Sequence, residues 1–148
     1  MKAKLLIIAI IFMSGMTANA QEFQRDTIET IGGNLIITFI GHGTLMFEFQ
    51  DKVFHIDPWS ELADYSKLPK ADVILITHEH GDHLDPLAIS AIEKENTQLF
   101  LTKLCYDKIK KGKVLKNGDY TAAAGFPVEA VPAYNRLARK GYSTSRSC

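Results

Sequence analysis

The sequence predicts an α/β domain, layered in the α+β manner, with helices laid over a mixed sheet. Three observations carry that reading. Strand-forming runs at Ile36 to Phe39, Leu45 to Phe49 and Val53 to Ile56 follow one another at hairpin spacing. Val73-Ile74-Leu75-Ile76 is an unbroken apolar run, the pattern of a strand buried on both faces. Asp85-Pro86 then offers a helix start, and Leu99-Phe100-Leu101 a further buried strand, which completes a strand-loop-helix-strand unit.

Taken in order, Ile36 to Phe39 is dense in β-formers, and Gly41-His42-Gly43 ends it. Leu45 to Phe49 alternates large apolar residues with Met46 and Glu48, and Gln50-Asp51-Lys52 is a short polar turn. Val53-Phe54-His55-Ile56 is the third member of an antiparallel meander, closed by Asp57-Pro58 because proline cannot donate to a ladder. Residues 59 to 70 read as a mixed loop and 78 to 84 as a polar one. Leu87, Ile89 and Ile92 are the apolar positions of a helix capped by Asp85 and ending near Asn96. A short helix is expected from Tyr106 to Lys111, closed by Gly112. Val114-Leu115, a turn at Asn117-Gly118, and Phe126 to Val131 supply the remaining strand candidates.

The chain has 148 residues, five of them histidine. Lys2 and Lys4, the apolar run Leu5 to Met13 and the small-residue ending Ala18-Asn19-Ala20 form the pattern of a secretory signal peptide over residues 1–20. That run is far shorter than the roughly 20 residues of a membrane-spanning helix. An exported protein, periplasmic or secreted, with no membrane contact beyond the leader is therefore expected. Seventeen basic residues less Lys2 and Lys4 leave fifteen against seventeen acidic, a balance that points away from nucleic acid. Cys105 and Cys148 belong to no Cys-x-x-Cys motif, and no structural disulfide is expected.

The chemistry concentrates in His78-Glu79-His80-Gly81-Asp82-His83. Imidazole nitrogen and carboxylate oxygen are the donors that borderline divalent metals prefer, zinc above all. The run leaves the C-terminal end of a buried strand and enters a helix, where open sheets place ligand sites. Gly81 is expected to permit the tight backbone path that folds the loop back on itself. A structural zinc site would more often be rich in cysteine, and none is near. His55 alternates within a strand and reads as structural, whereas Glu79 has no separate role.

The hexapeptide matches the H-x-H-x-D-H signature, and through it the chain resembles the metallo-β-lactamase superfamily. Ile40-Gly41-His42-Gly43-Thr44-Leu45, Val53 to Pro58, the strand from Lys70 to Thr77, and Val131-Pro132-Ala133-Tyr134-Asn135 resemble segments of its ascorbate-6-phosphate-lactonase-like branch. The resemblance runs from about Asn34 to Asn135 and implies about the first half of an αβ/βα sandwich, within a domain over residues 21–135. It implies that His78 and His80 hold one metal and that Asp82 and His83 hold another. Asp57 would orient a ligand, and Asp82 would also position the attacking water. His42 is open between lining the site and serving as a polar turn residue. The implied cofactor is one or two Zn2+, with Mn2+ or Fe2+ as alternatives. The implied activity is attack of an activated water on an ester, lactone or phosphodiester of a small-molecule substrate.

The family's later ligands have no counterparts after His83. Residues 136–148 hold four basic residues and no acidic ones, with no hydrophobic period. They are read as an atypical basic tail, disordered or arising from truncation or frameshift near Asn135. On that basis weak or absent turnover is expected from this chain alone, with self-association through an exposed sheet face. The alternatives are a non-catalytic metal-binding half-domain and a small exported binding protein.

Overall fold

A computed structural model describes residues 21–133. The leader expected at 1–20, the tail expected at 136–148, and Tyr134, Asn135 and Cys148 lie outside the described residues. Seven strands form one sheet in chain order: β1 (Gln24–Thr30), β2 (Gly33–Gly41), β3 (Thr44–Phe49), β4 (Lys52–Ile56), β5 (Val73–Ile76), β6 (Gln98–Leu101) and β7 (Lys113–Val114). β1 to β4 are antiparallel, and β4 to β7 run parallel. Helices α1 (Pro86–Ile92) and α2 (Lys103–Ile109) make the crossovers after β5 and β6. The sheet is thus the mixed one expected, and its meander follows from the sequence. Gln50 and Asp51 both take positive φ, 48° and 59°, the mirror-image turn whose twist suits a two-residue hairpin.

The pairing registers sort the side chains onto two faces. Thr38, Met46, His55, Ile74 and Leu99 lie in one cross-strand row. That face carries the main core, against Tyr65, Ala88, Ile89, Ile92 and Cys105. Ile92 is fully buried, a contribution of about 1.5–3 kcal/mol for a side chain of its size. Phe39, Leu45, Ile56, Leu75 and Phe100 form the neighbouring row on the opposite face. A separate hairpin, β8 (Tyr120–Ala123) with β9 (Phe126–Glu129), covers part of it. Val73, Phe100 and Ala123 are buried there, and the Phe126 ring lies 5.6 Å from those of Phe49 and Phe54. Leu45, Phe47 and Ile56 remain half-buried, and Phe39 is 39% exposed.

Several boundaries differ from the sequence reading. β1 was not expected, since all seven of its residues are exposed and no apolar alternation marks it; its ladder to β2 alone defines it. β8 carries only small and polar residues around Tyr120 and was likewise invisible. α1 stops at Ile92 rather than Asn96. There Glu93 turns extended, the Ile92 carbonyl accepts from Ala71 N at 2.8 Å, and Lys94 to Thr97 close a turn of their own. Leu87, assigned to the apolar stripe, is 76% exposed, and Ala88 takes its place in the core. α2 starts three residues earlier than expected because Thr102 caps it, and it ends with Lys110 in the left-handed region. Gly112 follows at φ 95°, where a Cβ would come within 2.9 Å of both Leu99 and Leu101 side chains.

His55 is structural, as its alternation indicated. It is fully buried beside Tyr65, its Nε2–H donates to Pro69 O at 3.0 Å, and its Nδ1 has no partner among the described residues. Burial pushes its pKa down to about 4, partly offset by the Pro69 bond. Between pH 4 and 6.5 the unfolded chain therefore binds a proton that the folded chain does not. Stability should fall as pH drops from 6.5 towards 4, by up to about 3 kcal/mol for such a shift, and level off below. Urea titrations of metal-free wild type and His55→Gln at pH 7 and pH 4.5 check this. The loss should be smaller in the variant.

Candidate metal centre

Three chain segments meet beyond the C-terminal ends of the interior strands β4 and β5. β4 runs out into Asp57, β5 leads into Thr77 and His78, and the β2–β3 turn brings His42. Thr44 locks that turn in place, its hydroxyl donating to Asp57 O at 2.6 Å.

Asp57 is the organising group. It is 3% exposed and sits in the left-handed region at φ 46°, a conformation that aspartate tolerates better than most residues. Its Oδ1 accepts from Thr77 N at 2.7 Å. Its Oδ2 accepts from the Thr77 hydroxyl at 2.6 Å and from His83 Nδ1 at 2.8 Å. A carboxylate only accepts, so His83 carries a proton on Nδ1, and the neutral ring in this arrangement has its lone pair on Nε2. The same logic passes through Thr77. Its single proton goes to Asp57, so its oxygen accepts from His78 Nδ1 at 2.9 Å. His78 then also presents a bare Nε2. One buried carboxylate thereby sets the tautomer of two imidazoles whose ring centroids stand 3.9 Å apart. Buried carboxylates behind metal-binding histidines act in this way.

Asp82 lies on the open side. Its Oδ2 is 3.0 Å from His42 Nε2 and 3.6 Å from His83 Nε2. Burial on its own would raise its pKa; its own backbone amide, His83 and His42 outweigh that and hold it below the usual value. Burial lowers the His78 pKa, and the neighbouring His83 and His80 push the same way, which favours the neutral ring that a metal requires.

Of the residues singled out from sequence, His42, Asp57, His78, Asp82 and His83 converge. Among the described residues, two sets of three have their donor atoms within 4.8 Å of one another: His42, Asp82 and His83, and Asp57, His78 and His83. The second set is the poorer one, because both Asp57 oxygens are already engaged by Thr77 and His83. His80 belongs to neither. It is exposed, with its ring edge-on to His78 at 4.7 Å. Gly81 is not the tight point expected, since its φ lies outside the left-handed region and a Cβ there would touch nothing. The close approach is at Gly43, where a Cβ would stand 3.1 Å from His83 Cε1.

Three residues escaped the sequence reading. Thr77 relays the Asp57 constraint to His78. Trp59, the single tryptophan, sets its ring edge against His42 at 5.9 Å between centroids. Lys108 reaches from α2 to donate to Glu79 O at 2.7 Å, tying that helix to the loop between His78 and His80. Thr77 ends the strand that feeds the loop, but its hydroxyl relay, like the contacts of Trp59 and Lys108, emerges from the topology.

Comparison with known proteins identifies the family and the fold. The family described as "Beta-lactamase superfamily domain" matches residues 36–145. A "UPF0173 metal-dependent hydrolase" from Dinoroseobacter shibae is 43% identical over 63 residues, covering 36% of this chain and 27% of the relative. The crystal structure of a putative metal-dependent hydrolase from Parabacteroides distasonis superposes with a TM-score of 0.75 at 51% identity, covering 79% of this chain and 54% of that one. A metallo hydrolase from Ignicoccus hospitalis, 24% identical, shares the fold with a TM-score of 0.56 over 76% of this chain and 57% of its own. The chain spans about a quarter of the curated relative and about half of each solved one. With its family matched over most of its length and its fold shared with solved metallohydrolases, the chain belongs to the metallo-β-lactamase superfamily and corresponds to its N-terminal region.

Proposed function

We propose that this chain forms the metal-binding half of an exported, metal-dependent hydrolase, with zinc as its metal and an ester, lactone or phosphodiester as its substrate. The observation that carries the reading is the Asp57 relay, which leaves His78 and His83 with bare Nε2 atoms beside the Asp82 carboxylate. Nitrogen and carboxylate donors fixed in their ligating protonation states fit a borderline divalent cation. His78, Asp82 and His83 would hold it, and His80, whose exposed ring lies outside the converging sets, would join them only by a movement of the loop. When bound, such a cation lowers the pKa of a water towards neutrality and polarises a carbonyl or phosphoryl oxygen.

The chain's own residues do the rest. Asp57 and Thr77 hold the two imidazoles in register. Asp82, 35% exposed at its side chain, faces solvent, where it would orient the attacking water. Lys108 pins the loop from behind. The apolar face that the β8–β9 hairpin covers only in part is where self-association would occur.

The test is hydrolysis by the purified chain of chromogenic phosphodiester, lactone and ester substrates. Zinc-loaded protein should give slow, saturable turnover above that of the same concentration of free zinc. Chelation and His78→Ala should each remove it. Turnover no faster than free zinc, or unaffected by His78→Ala, would contradict the assignment.

A further inference from the structure

We infer that His42 is itself a metal ligand, completing with Asp82 and His83 a three-residue cation site between the β2–β3 turn and the metal loop. This deepens the function proposed above and rests on it. His42 Nε2 is 3.0 Å from Asp82 Oδ2, which is 3.6 Å from His83 Nε2. The donor atoms of all three lie within 4.8 Å of one another. The set is two imidazoles and one carboxylate, a donor set that zinc hydrolases use while leaving a position open for water. Asp57 has already turned the His83 lone pair towards it.

The turn that carries His42 is shaped to press this ring onto the site. Gly41, at φ 137°, and Gly43, against the His83 ring, flank it. His42 itself is held at φ 51°, in the left-handed region where glycine would be at ease and a residue with a Cβ is disfavoured. That backbone conformation, which histidine adopts more readily than most residues with a Cβ, is what turns its side chain towards Asp82. The Trp59 ring packs T-shaped with the imidazole, 5.9 Å between centroids. Of the five histidines, His55 is buried in the core and three lie in the metal loop, so His42 alone reaches that loop from another segment. A plain hydrogen bond to Asp82 would account for the 3.0 Å contact. It would not account for the convergence of three donor atoms, one of them the His83 Nε2, within 4.8 Å of one another.

The single tryptophan beside His42 makes the idea testable without turnover. Metal-free full-length chain is titrated with Co2+, following both cobalt absorption in the visible and Trp59 emission, which a nearby paramagnetic ion quenches. Wild type should bind with saturable quenching. His42→Gly, which suits the backbone, and His42→Asn, which tolerates it, should weaken Co2+ binding at least tenfold, with metal-free thermal midpoints equal to or above that of wild type. Cobalt binding unchanged in both variants would overturn the role of His42 and leave the loop site standing. Lowered metal-free midpoints in both would overturn it in favour of a structural hydrogen bond. Failure of wild type to bind Co2+ at all would overturn this inference together with the proposed function.

Discussion

Replacing Asp57 with alanine should destabilise the metal-free fold by about 2–4 kcal/mol and weaken zinc binding by about 10- to 100-fold. The carboxylate is 3% exposed and accepts from Thr77 N, the Thr77 hydroxyl and His83 Nδ1. Its removal strands those donors beside a small cavity and places alanine at a φ of 46° that its Cβ resists. Asp57→Asn separates the two effects. The amide keeps one accepting oxygen and tolerates the left-handed backbone, so it should recover much of the stability. Its NH2, however, would face His83 Nδ1 as donor against donor. His83 would then move its proton to Nε2 and lose the lone pair that a metal needs. Urea midpoints should therefore rank wild type, Asn, Ala, while zinc affinity falls in both variants. An Asn variant that binds zinc as wild type does would show that the tautomer relay has no bearing on the site.

His83→Ala should cost more zinc affinity than either Asp57 variant. Its ring touches every part of the centre: Nδ1 on Asp57, Nε2 near Asp82, and ring faces against His78 and His42. Losing a ligand outright exceeds the roughly 10- to 100-fold cost of losing a group that orients one. The contrast is His80→Ala, whose exposed ring lies outside both converging triplets and whose loss should cost less. Calorimetric zinc titrations of the two variants give the comparison, and an equal or larger loss for His80 would mean the loop rearranges around the metal.

Much of this centre was legible in the residues themselves. Alternation in Leu45 to Phe49 and the unbroken run Val73 to Ile76 placed β3 and β5 within a residue, because half-buried and fully buried strands leave different signatures. Asp57-Pro58 marked a strand end, and the family resemblance implied an orienting role for its carboxylate. The crowding of His78, His80, Asp82 and His83 marked the loop. β1 left no trace because an exposed edge strand needs only its backbone ladder. Thr77, Trp59 and Lys108 were out of reach for a different reason: each acts through a neighbour 1 to 29 positions away in sequence, and only the stacking of β4 against β5 and the packing of α2 make them neighbours of the site. His42 sat between two readings because a polar residue between glycines is as common in a plain turn. Its contact with Asp82, forty positions on, decides that it faces the site.

Equilibrium dialysis of the purified metal-free chain against buffered zinc, followed by elemental analysis, tests the convergence most directly. The geometry predicts at least one tightly held zinc per chain, lost in His83→Ala. A wild-type chain that retains no more zinc than that variant would mean that these side chains, close as they stand, do not make a metal centre.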